Sequence, residues 1–375
     1  MKIGYEAKRV FKNFTGLGNY SRWIVQCFAN AYPNNSLFLY TPKISQNTRL
    51  KFLQNFKNIF VRTPTSNQLK IWWRSWAVSH DAKNDGIDIF HGLSNEIPFG
   101  LKHKKIKSVV TIHDLIFLRF PQYFKFIDRL IYKFKFNYAC KNAHTIIAIS
   151  QQTKQDIIKY FGTNENKIEV VYQGCDSIFY EEIKTETLQN IKLTYQLPDV
   201  FILCVGTIET RKNQLIILKA LIHLPPQIKL VLVGKATKYK EVLKDYIRQN
   251  QLEKRVLFFD NIPFNDLPSV YQLAKIFVYP SVFEGFGIPI LEALNSGLPV
   301  IAATGSCLEE AGGSDSIYIH PTNDKALADK INLVLNDTIL HQNMASEGKL
   351  HALKFRENII VQNLHSVYEK TLLKC

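Results

Sequence analysis

The sequence predicts an α/β protein built from two doubly wound parallel-sheet domains. Three observations carry that prediction. At 375 residues the chain exceeds what one core usually holds. Short apolar runs of strand type alternate with helical patterns along its length. Nearly every such run ends in a residue suited to ligand contact, and ligands bind at the carboxyl ends of strands in doubly wound sheets.

Taken in order, the strand candidates of the first half include KIGYEA, LFLYTP, IDIFHG, SVVTIHD, TIIAIS and KIEVVYQG. Gly16 and Gly18 follow the first of them, His91 and Gly92 end IDIFHG, His113 and Asp114 end SVVTIHD, and Ser150 ends TIIAIS. A polar stretch from Glu181 to Asp199 then reads as linker plus an opening helix. The second half offers FILCVGT, IKLVLVG, RVLFFDN, IFVYPS and PVIAAT, trailed by GTIETRKN, Gly234-Lys235 and EGFG. A last helix, roughly Glu357 to Leu372, reaches back to the first domain. The expected division is therefore 1–183, 184–355 and a returning helix within 356–375, with the two domains facing each other across a cleft.

Composition excludes several classes. No apolar run approaches the ~18 residues of a membrane span, and MKIGYEAKRV lacks a signal-peptide core, so a cytoplasmic location is expected. The six cysteines are scattered, without a C-x-x-C or a His/Cys cluster, which suits reduced thiols and no zinc site. The net charge of +15 is uneven: residues 1–180 carry 26 Lys and Arg against 11 Asp and Glu, and the remainder balances. The first half is expected to face something anionic. It shows no recognised nucleic-acid motif, so no nucleic acid is expected as partner.

The most informative stretch is PSVFEGFGIPILEALNSGLP, Pro280 to Pro299. A glycine turn opens a helix directly after a strand, Pro289 suits the helix's first turn, and Gly297 with Pro299 ends it. Bare N–H groups and the positive end of a helix dipole form an anion site suited to phosphate. Glu284 and Glu292 flank that site, so they must serve something uncharged beside the phosphate; sugar hydroxyls fit. Arg211 and Lys212, adjacent after another strand, suit neutralising a diphosphate; taken alone such a couple is an ordinary solvated pair.

Other candidates are weaker. GLGNYSR fails as a dinucleotide fingerprint, since Ser21 replaces the third glycine, but its glycines can let backbone approach a ligand. His113, His91 and Glu96 read equally as structural residues, and Asp114 as a helix cap. KIWWRSW (70–76) and FPQYFKFIDRLIYKFKF (120–136) mix aromatics with cations, as at an acidic membrane surface; core-facing helices with basic outer faces are the alternative.

With these residues in hand, the chain resembles the family 4 glycosyltransferases, which have the two-domain GT-B architecture of two Rossmann-like domains. The resemblance spans nearly the whole chain. It rests on the E-x7-E spacing of Glu284 and Glu292 and on GLGNYSR, HGLSNEIP, TIHD, AISQQTKQDI, IEVVYQG and VGTIETRKN in order. It implies retaining transfer of a hexose from a nucleoside diphosphate sugar, bound by 184–355, to a glycan or lipid-linked acceptor, bound by 1–183, with no cofactor and no bound metal; no D-x-D motif is present. Carried over, Arg211 and Lys212 hold the diphosphate and Glu292 binds the ribose. Glu284 and the backbone of Gly285, Phe286, Gly287 and Ile288 hold the donor hexose and distal phosphate. His113 contacts the donor sugar near the reacting carbon, Gly16 and Gly18 sit beneath the phosphates, and Gly206 lies in the donor site. Within the family, the TIHD region and glycine loop most resemble mannosyltransferases of bacterial surface polysaccharide assembly, including lipopolysaccharide, so GDP-mannose leads as donor, with UDP-hexoses as the alternative. The rivals are a nucleotide-sugar epimerase on the same architecture and a binding protein that has lost the chemistry.

Overall fold

The computed structural model describes residues 1–64 and 72–374; Lys70 and Ile71 of the first aromatic-basic segment, and Cys375, lie outside the described residues. The chain divides into two units, Met1–Gln173 with Glu357–Cys375, and Gly174–Arg356. The first crossing falls earlier than the 183 expected, because the segment holding Cys175 and Phe179 packs within the second unit: Phe179 meets Tyr271 edge-on at 5.5 Å. The polar stretch after it does open a helix, Thr185–Thr194.

The first unit's sheet contains β1 (Lys2–Glu6), β2 (Ser36–Tyr40), β3 (Ile59–Arg62), β4 (Ile89–Gly92), β5 (Lys107–Ile112), β6 (Thr145–Ala148) and β7 (Ile168–Val170). Its order is β3-β2-β1-β4-β5-β6-β7, all parallel. Ile3 pairs with Leu37 on one side and Ile89 on the other. Strands covered on both faces are apolar throughout rather than alternating, and β4 and β6 are buried at every residue. Around the sheet lie α1 (Gly16–Ala31), α2 (Phe126–Asn142) and, returning from the far end of the chain, α5 (Glu357–Leu373). That last helix buries Val361, Leu364 and Tyr368 in the first unit's core and packs against α1. Tyr368 OH lies 2.7 Å from His91 Nδ1 and donates to Tyr5 OH at 3.1 Å.

The second unit has β8 (Phe201–Val205), β9 (Lys229–Val233), β10 (Val256–Phe259), β11 (Ile276–Tyr279), β12 (Val300–Ala303) and β13 (Ile317–Ile319), ordered β10-β9-β8-β11-β12-β13 and parallel. Helices α3 (Thr185–Thr194) and α4 (Ile288–Asn295) belong to it. β3 and β13 escape a pattern reading because both are short edge strands with mixed burial. In each sheet the order reverses once, between β1 and β4 and between β8 and β11, the position at which doubly wound sheets bind ligands.

Candidate functional site

The loops after β8 and β11 meet at the second unit's reversal point. Val282 N–H donates to Arg211 O at 2.9 Å. Asn213, held in a left-handed conformation at φ 57°, donates from Nδ2 to Pro280 O at 3.2 Å and Pro321 O at 2.7 Å. These bonds bring together residues far apart in sequence. Arg211 Nη1 reaches Glu284 Oε1 at 2.8 Å and Phe283 O at 2.6 Å, while Nη2 pairs with Glu209 at 2.6 Å. Lys212 Nζ meets the same Glu284 oxygen at 2.6 Å and donates to Tyr279 OH at 2.5 Å. Ser281 Oγ also donates to it. Burial would raise the Glu284 pKa, but Lys212 and Arg211 overcome this and hold it at about 2. The carboxylate is thus ionised and its two cations are prepositioned.

The turn that follows is shaped by Gly287, whose φ of 126° suits only glycine and whose Cβ would stand 3.1 Å from Leu308. The α4 helix starts at Ile288, and Pro289 in its first turn has no N–H to leave unpaired. Cys307 Sγ donates to Glu284 O at 3.0 Å and Phe286 O at 3.2 Å, pinning the turn from below. Gly206, φ 147°, leaves β8 beside Lys212.

Glu292 stands apart from the cations. It accepts from Tyr271 OH at 2.7 Å, and desolvation lifts its pKa to about 7, with Asp176 adding to the rise and the tyrosine opposing it. A slight surface exposure remains, so its packing neighbours rather than complete enclosure remove its water.

The remaining sequence candidates belong to the first unit. His113, at the end of β5, is buried; its Nε2 lies 2.8 Å from Leu93 O and its Nδ1 3.1 Å from Gln173 Nε2. Burial lowers its pKa to about 4, the Leu93 bond partly offsetting. The ring is therefore neutral, with the proton on Nε2 donated to the carbonyl. His91 bridges Tyr368 and Thr111 in the core, a structural role. Asp114 accepts from Ile116 N–H at 3.1 Å, as a cap does. Gly16 and Gly18 form the first turn of α1 rather than a loop, because Thr15 can enter extended and start the helix there. A Cβ on Gly18 would collide with the Asn13 carbonyl, whereas one on Gly16 meets nothing within 4 Å.

The roles of Tyr279, Ser281, Glu209, Tyr271 and Cys307 are not read from the sequence. Tyr279 ends the strand before the glycine turn, and Ser281 and Glu209 lie within the PSVFEGFG and GTIETRKN segments, while Tyr271 and Cys307 carry no local signal. Among the described residues no three His, Cys, Asp or Glu gather as a metal site.

Two parallel α/β units, one with paired cations and a carboxylate at its strand-order reversal, have counterparts among known proteins over both halves of the chain. Two family models match the chain in tandem, Glycosyltransferase Family 4 over residues 27–177 and Glycosyl transferases group 1 over residues 187–351. The chain belongs to the family 4 glycosyltransferases. It is similar to O-antigen chain mannosyltransferase B of Escherichia coli, 29% identical over 287 residues, 74% of this chain and 73% of that one. It is 26% identical over 296 residues to the serotype-specific mannosyltransferase WbdA of E. coli; that match covers 72% of this chain but only 34% of WbdA. A glycosyltransferase from Rickettsia africae superposes with a TM-score of 0.79 at 19% identity, covering 100% of this chain and 99% of that one, which establishes the shared GT-B fold.

Proposed function

We propose that the protein transfers a hexose, mannose in the first instance, from a nucleoside diphosphate sugar, GDP-mannose first, to a glycan or lipid-linked acceptor in cell-surface polysaccharide synthesis. The observation that carries this reading is the convergence of Arg211 and Lys212 on one oxygen of Glu284. A diphosphate arriving at the α4 start can take both cations, and Glu284, released, can accept hydrogen bonds from the sugar hydroxyls. Glu292, on the same helix, suits the ribose hydroxyls. The names of the mannosyltransferase relatives support the choice of sugar.

In this mechanism the acceptor hydroxyl attacks the anomeric carbon on the face the phosphate leaves. The C–O bond to phosphate breaks, the new glycosidic bond forms, and the hydroxyl proton passes to the departing phosphate oxygen. Configuration is retained, and Arg211 and Lys212 stabilise the charge that builds on the diphosphate, the role a metal takes in other transferases. Neutral His113 would add no charge beside the sugar; with Nε2 on Leu93 O and Nδ1 on Gln173 Nε2, a hydrogen bond to the sugar would have to replace one of these.

The test is a thermal-shift panel of nucleoside diphosphates and their sugars, followed by turnover of Lys212→Ala. Glu284 keeps Arg211 and Ser281 in that variant, so the fold should hold while transfer falls by about 100-fold or more, the scale for losing one transition-state charge donor. Near-normal transfer removes the diphosphate assignment; no stabilisation by any nucleotide removes the transferase reading.

A further inference from the structure

Glu6 closes β1 at the first unit's own strand-order reversal, and it is only 4% exposed. One carboxylate oxygen, Oε1, accepts from Arg74 Nε at 2.7 Å. The other, Oε2, is buried and has no hydrogen-bond partner among the described residues. A buried carboxylate oxygen without a donor is costly, and native proteins rarely leave one so unless something else supplies the donor. Glu6 lines a cavity together with Arg74, Glu96, Lys135, Phe99 and Phe134.

The charges that line the cavity are already paired. Arg74 pairs with both Glu6 and Glu96, and Lys135 Nζ meets Glu96 at 2.9 Å. Lys8 and Arg9 add positive charge nearby without lining the cavity, so the cations an anion would meet in its walls are both taken by carboxylates. What remains unmet is an acceptor oxygen, which calls for a neutral ligand rich in hydroxyl donors. The walls add an apolar, flat component: Phe99 stacks on Trp76 at 4.4 Å and contacts Tyr138 at 4.3 Å, and Phe134 is 64% exposed beside them. A pyranose ring has this same division, hydroxyls at its edge and a C–H face for an aromatic ring. A second cavity shares Phe99 and Tyr138 with the first and extends to Trp76 and Asn142, continuing the aromatic wall.

We infer that this cavity is the acceptor subsite, binding a terminal pyranose of a glycan through hydroxyl donation to Glu6 Oε2 and stacking on Phe99 and Phe134. The assignment to the acceptor rests on the transferase reading above; the binding of a neutral saccharide does not. The site lies wholly within the first unit and uses none of the residues assigned to the donor.

Saturation-transfer NMR of the full chain with methyl α-mannopyranoside, methyl α-glucopyranoside and methyl α-galactopyranoside tests it. At least one should bind wild-type protein, and Glu6→Gln and Phe134→Ala should each weaken it about tenfold or more. The thermal shift caused by nucleoside diphosphates should stay as in wild type. Phe134 is exposed, so that variant guards against a Glu6→Gln chain that does not fold. Glycoside binding unaltered in both variants, or absent from a wild-type protein that binds nucleotide sugars, overturns the subsite. Loss of glycoside binding in the variants, in a protein that binds no nucleotide, upholds the saccharide site and instead overturns the transferase reading.

Discussion

Glu284 and Glu292 carry the same chemical group eight residues apart in opposite settings. Two cations hold the first near 2, so its contribution to stability is present above its ordinary 4.5 and is lost as pH falls toward 2. Desolvation holds the second near 7 against an ordinary 4.5, so the native state binds its proton more tightly than the unfolded chain does. That contribution is full below 4.5 and declines as pH rises to about 7. An ionised Glu292 is the better acceptor for ribose hydroxyls, so affinity for a nucleoside diphosphate sugar, whose phosphates do not titrate in this range, should tighten as pH passes through about 7. Glu292→Gln should weaken binding at pH 8 by about tenfold, the worth of one charge-assisted hydrogen bond, and flatten the profile. Calorimetry across pH 6 to 8.5 reads both effects, and an unchanged profile in the variant counts against the ribose role.

At the scale of the element, the start of α1 separates packing from ligand contact. Gly18→Ala drives a methyl into the Asn13 carbonyl and should cost about 1–3 kcal/mol, seen as a lower Tm. Gly16→Ala meets open space in a helical first turn, so the Tm should hold or rise slightly. If a donor phosphate lies over Gly16, the same methyl raises the donor KM; a wild-type KM assigns both glycines to packing alone. This is also where legibility in the sequence ended. The strand runs, the α4 glycine turn and the Arg211–Lys212 couple follow from local pattern and were readable. The helical setting of Gly16 was not, because it depends on Thr15 and on the bonds Arg22 makes to Val10 O and Asn13 O, 2.8 and 2.7 Å away. Nor was Glu6, whose unpartnered oxygen exists only once Arg74 and Lys135 are brought in from distant segments. Edge strands β3 and β13 lack the continuous apolar run that marks a central strand.

Across the whole molecule the excess positive charge lies in the first 180 residues, and α2 displays what accompanies it. Phe126, Ile127, Leu130, Ile131 and Phe134 are exposed, with Lys133 among them, while only Phe136, Ala139 and Cys140 of that helix are buried. This favours a surface helix over the core-facing alternative. No helix among the described residues is long and apolar enough to cross a membrane. The exposed apolar and basic face of α2 suits contact with an acidic bilayer surface. The protein should sediment with acidic liposomes at low salt and release at high salt. Ile127→Ser with Phe126→Ser should abolish retention, whereas absence of low-salt binding by the parent chain ends the membrane hypothesis.

The route of the backbone has its own consequence. Because α5 supplies Val361, Leu364 and Tyr368 to a core begun by β1, the first unit is assembled from both extremities of the polypeptide, and the second from one uninterrupted stretch. During synthesis, therefore, the first unit cannot close its core until the second has been made, and Tyr5 and His91 gain their phenolic neighbour only after residue 368 has emerged.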